Sequence, residues 1–299
     1  MKSHRHTLRL VRDLSYWQAG VSLIELMISL VIGMLVILAA VQLFSANKSG
    51  SIALDDSARI QENARAALDV MARHIRMAGY HPLESAANFP NTSGVCVNSV
   101  QQAICGRNPD DGTFPNKSDE IRVRFWGTSV PVGGAADGET RDCAGNALSA
   151  TDIVEERFRV QNVNRNPGDA TTATPTIVCA ILNGAAAITA GSPETVVPLV
   201  FGVDTMQVLY AEDTDSDRVA NRWRSADLVT NFANVYALQI GLVLRGEGRA
   251  NAAAARTYKP FGEQYAAPGS DSGASFDDPL DRRQRRTAVF SVEFRNRSQ

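Results

Sequence analysis

The sequence predicts an α+β fold in which one long N-terminal helix packs on an antiparallel β-sheet head with long loops. Residues 21–78 follow the apolar pattern of a helix, continuous at first and confined to one face later. Beyond residue 80 the apolar residues recur at every second position, as in strands with one covered face. The 299 residues are 44% hydrophobic and 21% charged, which is ordinary for a folded protein.

Positive charge is concentrated at the N-terminus. The first 20 residues hold four basic side chains, Lys2, Arg5, Arg9 and Arg12, against the single acid Asp13. The whole chain has a net charge of −2, and without these residues 26 basic and 31 acidic side chains remain, a net charge of −5. The remainder is therefore mildly acidic, which predicts no general attraction to nucleic acid or anionic lipid.

The apolar run of residues 21–44 predicts a membrane-spanning helix. It holds one formal charge, Glu25, and as a helix it would be roughly 36 Å long, enough for a hydrocarbon core of about 30 Å. A secretory signal peptide is the main rival, but its apolar stretch is shorter and precedes its small-residue cleavage site, whereas Gly20 stands before this run. A core helix rarely stays apolar on every face. The basic N-terminal side should remain cytoplasmic and the rest should be exported.

Glu25 is the anomaly in this run. A carboxylate near the bilayer centre costs roughly 2.5 kcal/mol or more, so such residues are usually functional. The alternative is that Glu25 lies one turn from the helix start and extends to the membrane interface.

The string GVSLIELM at residues 20–27 closely resembles the type IV prepilin cleavage and methylation motif. The resemblance implies that a membrane peptidase cuts after Gly20 and methylates the new N-terminal Val21. It also implies that Glu25, the fifth mature residue, acts in filament assembly. The family favours phenylalanine at the first mature position, so Val21 departs from the pattern and changes the identity of the methylated residue.

The pattern divides the chain into a leader at 1–20, a transmembrane and assembly helix at 21–48, an amphipathic helix at 49–79 and a β-rich head at 80–299. Gly50 marks the favoured break between the helices, while Gly79 and Pro82 end the second one. The apolar stripe that should cover the sheet comprises Ile60, Ala64, Ala67, Leu68, Met71, Ile75 and Ala78.

Alternation of apolar residues predicts the strands of the head. The clearest runs are 121–125, 236–244 and 288–294, and the shorter candidates are 156–160, 176–182 and 204–210. Long connections are expected at 84–119, 127–151, 162–175, 183–194 and 246–285. Such lengths indicate surface decorations, assembly contacts or partly disordered segments.

Four further segments resemble PilW-type minor pilins: ENAR at 62–65, RMAGY at 76–80, QVLY at 207–210 before an Asp-rich turn, and FRNR at 294–297. The resemblance implies the pilin fold and a low-abundance subunit that primes type IV pilus assembly or lies at the pilus tip. It implies a single-pass inner-membrane protein with a cytoplasmic N-terminus and a periplasmic head, which later enters the pilus. Its partners would be the prepilin peptidase, other minor and major pilins, the inner-membrane assembly platform and a tip adhesin.

Two alternatives stay open. A pseudopilin of a type II secretion system would share the whole N-terminal pattern. A tip module could instead bind an adhesin or DNA through its long loops. The basic cluster at 281–286 is the only candidate for a DNA contact, but no aromatic residues alternate with its arginines, so it is interpreted as a solvated strand entrance.

The sequence gives no sign of catalysis, so an enzyme is not expected. Outside the leader only His74 and His81 remain, and His74 is interpreted as a surface or packing residue. No phosphate-binding loop, nucleophile elbow or zinc-protease motif is present.

Cys96, Cys105, Cys143 and Cys179 form an even set in an exported head, which favours disulfides over zinc because no CxxC pair exists. Three complete pairings are possible. Cys96–Cys105 and Cys143–Cys179 are favoured, since the first closes a local loop and the second ties a loop to a strand. Free buried thiols are the alternative.

Asp213, Asp215 and Asp217 resemble the start of a calcium loop, with carboxylates at alternate positions. Arg218 and Arg224 then stand where an EF-hand needs glycine and glutamate. A solvated acidic turn is therefore favoured and no metal is assigned, with calcium left as the alternative.

Overall fold

The computed structural model describes residues 20–82, 102–109, 112–131, 133–166, 173–190, 193–249, 255–265 and 271–296. The chain divides into two compact units, Met1–Ser49 and Gly50–Gln299.

The described part contains two α-helices and eleven strands. The helices are α1 (Leu23–Arg76) and α2 (Ala185–Ala190). The strands are β1 (Ile104–Arg107), β2 (Glu120–Trp126), β3 (Ile153–Asn164), β4 (Ala173–Asn183), β5 (Thr195–Phe201), β6 (Val203–Glu212), β7 (Arg222–Arg224), β8 (Val235–Arg245), β9 (Thr257–Tyr258), β10 (Phe276–Asp277) and β11 (Arg285–Glu293).

Helix α1 begins and ends at residues whose chemistry suits those positions. The Glu25 N–H donates to the Ser22 hydroxyl at 3.2 Å and to the Ser22 carbonyl at 3.1 Å, so this donor of the first turn is satisfied by the capping residue. Just after the helix Gly79 has φ of +74°, the left-handed conformation common at helix C-termini. The break predicted at Gly50 is wrong, because α1 continues through it. A single glycine costs a helix only about 1 kcal/mol, which its neighbours can offset.

The head contains two antiparallel sheets where the sequence predicted one. The larger has the order β1-β2-β3-β4-β5, the smaller has the order β11-β8-β6-β7, and β9 pairs with β10 in a separate ribbon. Every strand run predicted from alternation corresponds to an observed strand, namely β2, β3, β4, β6, β8 and β11. The predicted α+β class is confirmed.

Of the strands that the sequence did not predict, β1, β9 and β10 lie within the predicted long connections, β5 directly follows one, and β7 lies outside them. β1, β7, β9 and β10 have only two to four residues, too few to establish a period. β5 is interrupted by Pro198, a residue that argues against a strand unless it lies at a sheet edge, as β5 does.

The predicted apolar stripe lies in the core. Ile60, Ala67, Met71, Ile75 and Ala78 are buried, and Ala64 and Leu68 pack against them. The same cluster includes inward residues of both sheets, among them Phe125, Phe158, Ile177, Leu238 and Ile240. The residues of α1 within the second unit therefore supply the helical cover that the sequence predicted.

Candidate functional site

The predicted processing site lies at the start of α1. Val21 is 69% exposed, and apart from its chain neighbours no residue comes within 4 Å of the position that a Cβ would take at Gly20. Glu25 lies in the first helical turn, with no ion pair among the described residues. Leader residues 1–19 lie outside the described residues. The structure thus presents the Gly20–Val21 bond next to a capped helix start.

The apolar part of α1 that follows is long and apolar enough to cross a membrane. Its large side chains are all exposed, among them Leu30, Val36 and Phe44. The polar Ser29 hydroxyl donates to the Leu26 carbonyl at 2.9 Å, so it brings no unsatisfied donor into this segment.

Asp56 joins α1 to the loop after β8. It is buried, and its carboxylate accepts hydrogen bonds from the N–H groups of Glu247 and Gly248, each at 3.1 Å. A Cβ at Gly246 or Gly248 would come within 3.0 Å of the Asp56 side chain, so these glycines permit the close approach. Sequence reasoning missed this contact, although a G-x-G loop opposite an acid is a signal that could have suggested it.

His74 joins α1 to β3 inside the core. Its Nδ1 lies 2.8 Å from Oε2 of Glu156, both side chains are buried, and its ring contacts Phe158. The other Glu156 oxygen accepts the Cys143 N–H at 2.8 Å. Burial raises the pKa of Glu156, an effect that His74 opposes. The sequence predicted a surface or packing role for His74, and its acidic partner could not be identified from local pattern.

Cys143, beside this pair, forms a disulfide with Cys179. The bond joins the loop before β3 to the centre of β4, the pairing that sequence reasoning favoured. Cys105 is also disulfide-bonded, while its predicted partner Cys96 lies outside the described residues.

A chain of alternating charges runs across the larger sheet, on the face opposite His74. Sequence reasoning missed it, although acidic and basic residues at alternate positions of two strands were a visible signal. Glu155 contacts both Arg124 and Arg157, and Glu120 contacts both Arg122 and Arg159. Glu194 links the two groups by pairing with Arg157 at 2.5 Å and with Arg159. Most of these side chains are buried, so each charge depends on its partner.

The three candidate calcium ligands do come together. The carboxylates of Asp213, Asp215 and Asp217 lie within 4.8 Å of one another. The Asp213 carboxylate already accepts hydrogen bonds from the backbone N–H groups of Asp215, Ser216 and Arg218, at 2.7–3.1 Å. This is the geometry of a turn stabilised by its own carboxylate, the interpretation that the sequence favoured, and calcium stays the alternative.

The basic cluster at 281–286 is largely engaged within the fold. Arg285 is buried and pairs with Asp204, Asp278 and Asp281. Its hydrogen bonds lower the pKa of Asp281 to about 2. Arg283 also contacts Asp281, at 3.4 Å. A nucleic-acid surface built on this cluster would have to compete with these pairs.

Comparison with known families gives a match in each of two stretches of the chain. The prokaryotic N-terminal methylation motif matches residues 18–41, and the family described as Type IV Pilus-assembly protein W matches residues 157–296. The chain thus resembles type IV prepilins at its N-terminus and PilW over residues 157–296. The second match runs from within β3 to just beyond β11.

Among solved structures, the PilW-like chain is similar to the type IV-like pilin TTHA1219 from Thermus thermophilus. The TM-score is 0.48 and the sequence identity 16%, over 81% of this chain and 98% of that one. No curated protein matches the chain.

The match to the methylation motif and the apolar helix support membrane anchoring and processing by a prepilin peptidase. Residues 157–296 match the family of a pilus-assembly protein, which favours a structural role for this part of the head. Together the two matches support a type IV prepilin-like protein of the PilW type.

Proposed function

We propose that this chain is a minor pilin that primes type IV pilus assembly and ends at or near the pilus tip. The peptidase cuts between Gly20 and Val21 and methylates Val21. Residues 21–48 hold the subunit in the bacterial inner membrane, with a cytoplasmic N-terminus and a periplasmic head. Major pilins, other minor pilins and the assembly platform are its partners, and a tip adhesin is a further candidate.

One observation carries this proposal. A prepilin motif opens a capped apolar helix, and a head matching PilW follows in the same chain. The motif alone would fit any pilin-like subunit, including a pseudopilin of a type II secretion system. The match over residues 157–296 favours the pilus over the secretion machine.

Glu25 has the chemistry needed to guide docking. In a bilayer its carboxylate would be costly without a partner, and cleavage after Gly20 creates a positive amine on Val21. The amine of a neighbouring subunit, staggered along the filament, is the partner that offsets this cost. A subunit with Glu25 therefore favours the assembled state over the isolated one.

A tip module for an adhesin or DNA is the second alternative. DNA is the less favoured ligand, because Arg285 is buried among acids and Arg283 contacts Asp281. DNA retained by the purified protein at physiological salt would support this alternative.

The test is Glu25→Ala expressed at native level. Loss of the ion pair should lower recovery in sheared pili about tenfold, the equivalent of about 1.4 kcal/mol, while membrane insertion and cleavage stay intact. Ser29→Ala is the matched control, since the Ser29 hydroxyl is satisfied within its own turn. Immunoblots of pili and membranes give the amounts, and N-terminal mass analysis should find methylated Val21.

Normal recovery of Glu25→Ala in pili would leave Glu25 with the interfacial role only. A wild-type protein that copurifies with secretion-machine components, and not with pilins, would instead establish the pseudopilin alternative. A clean deletion scored for surface pili, twitching and secretion separates the same two functions in the cell.

A further inference from the structure

The two main sheets end in four edge strands, and three of these are protected against pairing with another chain. β1 has four residues and β7 three, which makes them poor templates. β5 carries Pro198 and lies beside a register shift at Ile177/Val178. β11 differs, because all nine of its residues pair with β8 without a shift and none is proline.

The hydrogen bonds at the ends of β11 show which residues point outward. The Gly246 N–H donates to the Gln284 carbonyl at 2.8 Å, and the Phe294 N–H donates to the Tyr236 carbonyl at 3.1 Å. Bonded pairs alternate along an antiparallel ladder, so the even-numbered residues face β8. Thr287, Val289 and Ser291 therefore direct their N–H and C=O groups away from β8, where no other described strand pairs with them.

Side chains on both faces of β11 are left incompletely covered. Ala288 and Phe290 pack against the core but stay half-buried. On the other face Val289 is 44% exposed and lies opposite Gly241, which Pro260 and Phe261 cover. One more strand beside β11 would cover these apolar side chains and satisfy the outward backbone groups together.

We propose that β11 accepts an added β-strand from a different subunit of the same assembly, an inference that rests on the proposed function. The added strand is apolar at its centre, opposite Val289 of β11. It carries an acid near Arg286 and a base near Glu293, because both residues are exposed and form no ion pair with another described residue. Main-chain hydrogen bonds give the affinity, and the alternating side chains give the selectivity.

The first test compares Val289→Pro with Val289→Thr in the full-length chain. Both variants lose the valine side chain, but only proline removes the outward N–H, and it leaves the hydrogen bonds to β8 in place. Recovery in sheared pili should fall about tenfold for Val289→Pro and by a clearly smaller factor for Val289→Thr, which keeps the outward N–H and gives up only part of the apolar contact. Equal thermal stability of the two purified full-length variants in detergent shows that folding is not the cause. Equal recovery of the two variants overturns the proposal.

The second test places the photo-crosslinking residue p-benzoylphenylalanine at Thr287, Val289 or Ser291 in piliated cells. Strand addition predicts adducts to one segment of one other subunit, moving along it by two residues per step. The matched control is Val196 on β5, which should give no such series. Scattered adducts, no adducts, or adducts to β11 of a second copy each overturn the proposal.

These outcomes separate the inference from the function on which it rests. Wild-type protein present in pili without an ordered adduct series leaves the minor-pilin proposal standing and removes the strand-addition site. Absence of wild-type protein from pili overturns both.

Discussion

The two halves of α1 relate polarity to burial in opposite ways. In residues 23–49 the large apolar side chains are exposed. In residues 50–76 the buried set includes two titratable side chains, Asp56 and His74, beside apolar residues such as Ile60 and Met71. One continuous helix thus carries two surfaces that need different surroundings.

This difference shows where each half of α1 finds the groups that stabilise it. Exposed apolar area costs about 25 cal/mol per Å² in water, so the first half needs lipid or other subunits. The second half finds its partners within the head: Glu247 and Gly248 for Asp56, and Glu156 for His74. Substitutions in the second half should therefore reduce the stability of the isolated protein, whereas those in the first half should act on assembly.

The largest effect on stability is expected for His74→Ala. It leaves the buried Glu156 carboxylate without its partner, and we expect the free energy of unfolding to fall by about 3 kcal/mol at neutral pH. Denaturant unfolding of the full chain in detergent measures this change. A decrease below about 0.5 kcal/mol would contradict a buried pair joining the helix to β3.

The pH dependence of the unfolding free energy of His74→Ala gives a second test of the His74–Glu156 pair. A carboxyl whose pKa is raised by folding contributes its stability below its unfolded pKa, and loses it as pH rises through the folded pKa. Removing His74 takes away an interaction that lowers the pKa of Glu156. The deficit of His74→Ala should therefore grow from about pH 4.5 toward pH 7. The double variant His74→Ala/Glu156→Gln should recover most of the unfolding free energy lost in His74→Ala. The glutamine is uncharged, and its amide oxygen can still accept the Cys143 N–H.

A smaller effect is expected for Asp56→Ala, with Asp55→Ala as the adjacent control. Asp56 satisfies two backbone N–H groups, and its loss should cost about 2 kcal/mol. The Asp55 side chain is 65% exposed and, among the described residues, pairs with Arg59 alone, so its loss should cost less than about 0.5 kcal/mol. Thermal unfolding of both variants gives the comparison, and similar costs would show that the loop after β8 is not held by Asp56.

The smallest effect is expected for Gly50→Ala, at the boundary between the two units. No neighbouring group comes within 4 Å of a Cβ there, so alanine should stabilise the helix by about 0.5–1 kcal/mol. Amide hydrogen exchange around residue 50 should slow accordingly. Unchanged or faster exchange would mean that the helix is already interrupted at Gly50 in solution.

Periodicity predicted those parts of the fold that repeat over many residues. The stripe from Ile60 to Ala78 and the long strands β2, β8 and β11 are visible because one face of each element is buried. The pairing of Cys143 with Cys179 was also predicted, from the exported head and from the position of one cysteine in a loop and the other in a strand. The prediction at Gly50 failed because one glycine costs a helix only about 1 kcal/mol, which the long helical segments on either side can offset.

The rest depends on contacts between residues far apart in the sequence. His74 and Glu156 lie 82 positions apart, and nothing near either residue identifies the other. The division of the head into two sheets could not be predicted from the sequence either. Alternation shows that a strand has a buried face, but not which strand lies beside it. The outward groups of β11 became visible only once its pairing with β8 was known.

The charge chain on the larger sheet has a consequence for how its strands align during folding. On β2 and β3 most charged residues share one face, while Ile121, Val123 and Phe158 point to the core. A slip of one residue between these strands would exchange the two faces and bury unpaired arginines among apolar side chains. The cost of desolvated charge disfavours such misaligned sheets, so the charge pattern selects the native alignment of β2 and β3 as the sheet forms.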